Sequence, residues 1–156
     1  MGSKEKLVFL DTNVFVIDLR YKRDVNYGNN ASFLTYIGQT RRGYTTVVNL
    51  LELCGILSFN LNEKQLLQMW FYFQDRYQIS VLPVPSLETD FPILSLKEIF
   101  DLIKMKTSLG DALVVSVGQK YLPFAKTMVT WDKEHFDGKF SGDVLTPTEF
   151  MHLVKS

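Results

Sequence analysis

A chain of 156 residues and 18.0 kDa is long enough to bury a substantial core, and a hydrophobic content of 46% excludes general disorder. Seventeen Lys+Arg balance 17 Asp+Glu, which excludes a strongly basic nucleic-acid coat and confines any polyanion binding to a local patch. One cysteine, Cys54, excludes an internal disulfide framework and suits a reducing cytosol, so a cytoplasmic location is expected. Met1 to Lys6 is polar and charged, so no secretory signal is expected. The longest weakly charged region, Gly43 to Asn62, contains Glu52 and falls short of the roughly 20 apolar residues of a membrane span.

In chain order, Leu7 to Leu10 is a continuous apolar run, as in a strand buried on both faces of a parallel sheet. Helical material follows Asp11 and is broken by the polar stretch Tyr21 to Asn30. Ala31 to Thr40 reads as a helix, Tyr44 to Thr46 as a short strand, and the next residues as a helix to about Phe59. Asn62 and Gln65 form an N-cap pair opening a helix to about Tyr77. A strand is predicted over Ile79 to Leu82, then a loop from Pro83 to Pro92. Ser95 with Glu98 opens a helix to about Lys106, Leu109 to Tyr121 forms the next, and Thr127 to Thr130 a strand. Thr146, Pro147 and Glu149 cap a terminal helix. No repeat, low-complexity tract or interdomain linker appears, so residues 1–156 are expected to form one domain. Strands alternating with helices predict an α/β fold with a mostly parallel sheet.

Four acids stand in or end apolar segments: Asp11 in LVFLDTNVF, Glu52 in VVNLLELCGIL, Asp111 in LGDALVV and Asp132 in TMVTWDKEHF. Removing a carboxylate from water costs several kcal/mol unless a cation or donors compensate. A cluster of such groups points to a bound metal ion. Asp11 ends one predicted strand and Asp132 lies two residues past another, the edge where parallel sheets hold ligands. Each is equally an Asx-turn or helix-cap residue. Glu52 has no cation one turn away; its other reading is a partly exposed residue on a narrow polar stripe with Thr45 and Asn49. Asp111, three residues after Ser108, also reads as a helix cap. Oxygen-only ligands select Mg2+ or Mn2+, and His135, His152 and Cys54 are too few and scattered for a zinc set.

LDTNVF at Leu10 to Phe15, NLLEL at Asn49 to Leu53, GDALVV at Gly110 to Val115 and TWDKEHF at Thr130 to Phe136 together resemble the PIN-domain nucleases. Their order and spacing are similar to those of VapC-type ribonuclease toxins, over Leu7 to Val154. The resemblance implies a three-layer α/β/α fold with a mostly parallel central sheet. It makes Asp11, Glu52, Asp111 and Asp132 the catalytic, metal-binding acids, supported by Asn13 and Thr130; ordinary strand propensity is the other reading of Thr130. The implied activity is Mg2+- or Mn2+-dependent hydrolysis of RNA phosphodiester bonds. The implied partners are RNA, an antitoxin protein and a second copy in a homodimer. Arg20, Lys22, Arg23, Arg41, Arg42, Lys104 and Lys106 are candidates for gripping phosphates, each with a solvated surface as its alternative. Asp137 is either an accessory acid or an exposed turn. The aromatic run Met69 to Phe73 and the loop 83–92 go beyond the family pattern; for the run, core packing is the default. Two other functions fit acids at strand ends: a catalytically silent PIN-like module that binds RNA or protein, and a receiver-like phosphorylation switch. The second normally needs a pair of acids where Leu10 and Asp11 stand.

Overall fold

A computed structural model describes residues 6–155; the polar opening before Lys6 and the final Ser156 lie outside the described residues. Five strands form one sheet: β1 (Val8–Leu10), β2 (Gly43–Thr46), β3 (Ser80–Leu82), β4 (Thr127–Val129) and β5 (Asp143–Leu145). Their order is β3-β2-β1-β4-β5 and all four pairings are parallel, so the expected mostly parallel sheet is wholly parallel among the described residues. Parallel strands need crossovers, here supplied by seven of the eight helices among the described residues, the eighth following the last strand. The eight are α1 (Thr12–Arg20), α2 (Tyr27–Thr40), α3 (Val47–Leu57), α4 (Glu63–Tyr77), α5 (Leu96–Lys104), α6 (Leu109–Tyr121), α7 (Lys133–Phe136) and α8 (Pro147–Lys155).

β1 is central and wholly buried, which explains why its sequence is apolar on both faces. Phe9 points to one layer: a Cβ at Gly118 of α6 would come within 2.5 Å of its ring, so only glycine lets that helix sit so close. Leu10 points to the other, meeting β2 and α2 near Gly43 and Ile37. Helices α1 to α4 and α8 pack on one face, α5 and α6 on the other, giving three layers. Phe15 meets Phe73 and Tyr77 edge-to-face at 4.9 Å, and those two rings lie tilted 5.1 Å apart, tying α1 to α4. No helix among the described residues is long and apolar enough to cross a membrane.

Several boundaries differ from the sequence reading. α2 starts at Tyr27, inside the Asn-rich stretch expected to break helices. The reason is tertiary: Asn30 is buried, and its amide donates to the Val14 carbonyl at 2.8 Å, spending its polarity on α1. α5 stops at Lys104 rather than Lys106, whose φ of +67° cannot continue a right-handed helix. β5 and α7 were not expected; β5 is a three-residue edge strand with only Val144 buried, too short for a periodic signal. The run Met69 to Phe73 divides, as α4 requires: Trp70 and Phe73 enter the core while Phe71 and Tyr72 face outward, so core packing accounts for part of it.

Candidate functional site

The sheet order reverses direction between β1 and β4, so the helices that follow these two strands leave a crevice at their carboxyl ends. Asp11 follows β1 there, and its N–H donates to the Val129 carbonyl of β4 at 3.0 Å, extending the ladder. Its carboxylate is buried, at 5% exposure.

Two side chains hold it, Thr130 and Asn49. The Thr130 hydroxyl donates to Asp11 Oδ2 at 2.8 Å. That hydroxyl also accepts from Asn13 Nδ2 at 3.0 Å and from the Asp132 N–H at 3.0 Å. With both lone pairs occupied, its proton has one destination, Asp11. Asn13 also donates to Asp132 Oδ2 at 3.2 Å and accepts from the Trp131 N–H at 3.2 Å. One amide thus reaches both the hydroxyl and the fourth acid. From α3, Asn49 Nδ2 approaches Asp11 Oδ1 at 3.4 Å and Thr12 Oγ1 at 2.9 Å. Behind the turn, the Trp131 indole N–H donates to Asn30 Oδ1 at 2.8 Å, locking the segment after β4 onto α2.

Glu52 and Asp111 enter from the two helical layers. Glu52 is half-buried on α3, and a Cβ added at Gly110 would lie 3.7 Å from its Oε2, so it faces the first turn of α6. The stripe it was read to share with Thr45 and Asn49 is no solvent face: both are buried, Thr45 donating to the Leu10 carbonyl at 2.8 Å. Asp111 takes its helix-cap reading: its N–H donates to the Ser108 hydroxyl at 3.2 Å, closing the cap of α6. Burial pushes the Asp11 carboxyl up to about 7; the Thr130 and Thr12 hydrogen bonds oppose this, and the charges of Glu52 and Asp111 add to it. Those two acids are therefore close enough to be felt electrostatically.

Asp132 departs from the reading of an acid enclosed in an apolar segment: it is exposed at the rim, because the turn after Thr130 swings it outward to Asn13. Among the described residues no ion pair reaches Asp11, Glu52 or Asp132, and Asp111 has only His135, whose Nδ1 lies 3.7 Å away on a 64% exposed side chain. His135 thus stands against Asp111. Among these residues no three His, Cys, Asp or Glu side chains gather tightly enough to hold an ion as they stand.

The cationic candidates fare unevenly. Arg42 is buried, its Nε donating to the Lys6 carbonyl and its Nη1 to the Tyr36 hydroxyl, both at 2.6 Å, with Phe150 beside it. It is a structural residue, and with Arg41 it lies at the start of β2, the edge opposite the acids. Arg20 ends α1, about 12 Å along the helix from its first residue at 1.5 Å per residue, and its Nη1 donates to the Ile56 carbonyl at 3.4 Å. Lys22 and Arg23 follow it, exposed. Lys104 pairs with Asp101 at 3.1 Å; it and the exposed Lys106 lie at the end of α5 that precedes the Asp111 turn. Asp137 is an exposed residue ending α7, and His152 is exposed on α8.

No family model matches the chain, and no curated protein matches it. Solved structures do. FitAcB from Neisseria gonorrhoeae aligns at 15% identity over 91% of this chain and 99% of that one, with a TM-score of 0.60. FitAB bound to the IR36 DNA fragment aligns at 17% identity over 90% and 95%, with a TM-score of 0.58. VapBC2 from Rickettsia felis, bound to a DNA fragment from its promoter, aligns at 19% identity over 88% and 96%, with a TM-score of 0.55. The chain therefore has the PIN-like, three-layer α/β/α fold that its resemblance to VapC-type proteins implied.

Proposed function

We propose that the chain is a metal-dependent endoribonuclease that hydrolyses RNA phosphodiester bonds, with Asp11, Glu52, Asp111 and Asp132 holding Mg2+ or Mn2+. One observation carries the reading: Asp11 is a buried carboxylate with no cationic partner among the described residues, and two further acids raise its proton affinity. A hard divalent ion answers all of this, and an all-oxygen donor set is the kind such an ion selects. When bound, the ion supplies positive charge and Lewis acidity at the scissile phosphate. Thr130 and Asn49 orient the Asp11 oxygens, and Asn13 steadies Thr130 and Asp132. Lys104, Lys106 and His135, on segments flanking the crevice, are the cations suited to meet RNA phosphates.

The decisive assay is RNA cleavage with added Mn2+ by the native chain, Asp11→Asn and Asp111→Asn. Both variants should lose cleavage; unchanged activity in both eliminates the mechanism. The likeness to FitAB and VapBC2 supports a toxin role with an antitoxin partner and a homodimer. So does α5, where Leu96, Phe100 and Ile103 lie exposed at i, i+4 and i+7. Co-purification with the protein of a neighbouring gene, and light scattering of the chain alone, check these. The second reading, a silent RNA- or protein-binding module, draws on the ungathered carboxylates. Calorimetric titration with Mn2+ separates the two, since a silent module binds RNA without it.

A further inference from the structure

Asn49 is a costly residue that its own helix does not need. Its side chain is 1% exposed within the apolar run of α3, and burying an amide is unfavourable unless each polar atom finds a partner. The cap of α3 does not require that amide: Thr46 Oγ1 accepts the Asn49 backbone N–H at 3.2 Å, a bond any residue at 49 could make. The side chain is spent elsewhere. Its Oδ1 accepts the Thr46 hydroxyl at 2.6 Å, and its Nδ2 faces the end of β1, donating to Thr12 Oγ1 at 2.9 Å and Asp11 Oδ1 at 3.4 Å. An ionised carboxylate only accepts, so Asp11 fixes which end of the amide faces it.

We propose that Asn49 is a positioning residue for Asp11: with Thr130 on Oδ2, its amide on Oδ1 fixes the rotation of the carboxylate and so sets the affinity of the acidic crevice for a divalent cation. Two hydrogen bonds, one on each oxygen and from opposite sides of the crevice, leave that carboxylate a single orientation. A group that orients a metal-binding side chain typically changes metal affinity by about 10- to 100-fold when removed. The contact to Asp11 is the longer of the two made by Nδ2, so Thr12 anchors the amide and must be separated from Asp11 in the test.

The inference rests on the metal-dependent reading above, and its probe is Mn2+ alone, added to the full chain without RNA. Calorimetric titration and the electron paramagnetic resonance signal of free Mn2+ are read for the native chain, Asn49→Leu and Thr12→Val. Both substitutions break the bond between Asn49 and Thr12, but only the first removes the donor to Asp11. Asn49→Leu should weaken Mn2+ binding by about tenfold or more, with Thr12→Val within about twofold of native. Should Asn49→Leu not fold, Asn49→Ser, smaller and too short to reach Asp11, should show the same loss. Native-like affinity in the folded position-49 variant, or an equal loss in Thr12→Val, overturns the inference. A native chain that binds no Mn2+ instead overturns the metal-dependent reading itself.

Discussion

Replacing Asp11 by Asn should stabilise the metal-free protein at alkaline pH and leave it little changed near pH 4. The Asp11 carboxyl is buried and holds its proton up to about 7, against an ordinary 3.8. Between those values the folded state keeps a proton that the unfolded chain has released, so stability falls as pH rises through that window and levels off above it. At about 1.4 kcal/mol per pH unit, the cost above pH 7 is about 4 kcal/mol, a large part of a typical net stability of about 5–15 kcal/mol. Asparagine cannot ionise and escapes that cost. Its carboxamide also turns an N–H toward Asn49 Nδ2, which costs about 1 kcal/mol at every pH and cancels when two pH values are compared. Urea unfolding in EDTA at pH 4 and pH 8 measures the difference. The variant should gain several kcal/mol on the native chain between the two; parallel pH dependences would refute the reasoning. Saturating Mn2+ should then stabilise the native chain, by about 2.7 kcal/mol at a hundredfold excess over Kd, and leave the variant unmoved.

Glu52→Gln removes one of the charges that raise Asp11, so the Asp11 carboxyl resonance should titrate at lower pH, while staying above the ordinary value because burial dominates. Arg42→Met should cost about 2 kcal/mol in urea unfolding, as the Tyr36 hydroxyl and the Lys6 carbonyl lose a charged donor; RNA affinity should be unchanged. Gly118→Ala should cost about 1–3 kcal/mol, because the new methyl meets the Phe9 ring at 2.5 Å; a thermal melt checks it. Trp131→Phe deletes the indole N–H and leaves the buried Asn30 side-chain Oδ1 without that donor, a loss of about 1–3 kcal/mol in the same melt.

The fold was legible where elements are long or punctuated. Asn62 and Gln65 complete a reciprocal capping box, and Thr146 with Glu149 another, each read from residue types three apart. Ser95 and Glu98 looked the same, yet only half forms: Ser95 accepts the Glu98 N–H, while the Glu98 carboxylate takes Gln119 from α6. Local spacing announces a cap; it does not know which distant amide will compete for the carboxylate. Asn30 makes the same point in reverse, since a residue suited to a break became a helical residue once Val14 and Trp131 supplied its partners. β5 was hidden for another reason: three residues with one inward side chain carry no period to detect.

At the site, Asp11 was legible because the rule for ligands in parallel sheets acts at strand ends, which sequence marks well, whereas Asn13 and Thr130 were named only through the family resemblance. Asn49 was not legible, although it stands three residues before Glu52 on the same turn of α3. Its type suited a solvent-facing stripe, and the opposite holds because α3 is buried on the side that turns to β1. What decides this is the strand order. With β1 between β2 and β4, the helices that follow β1 and β2 lie on one face and α6 on the other. Only at the carboxyl end of β1 can α1, α3, α6 and the turn after β4 all approach one point. Glu52 meeting Gly110 while Thr130 meets Asp11 is the consequence. Side chains more than a hundred residues apart in the chain, Asn13 with Asp132 and Thr130 with Asp11, meet because the sheet reverses there, a property of topology that no window along the sequence contains.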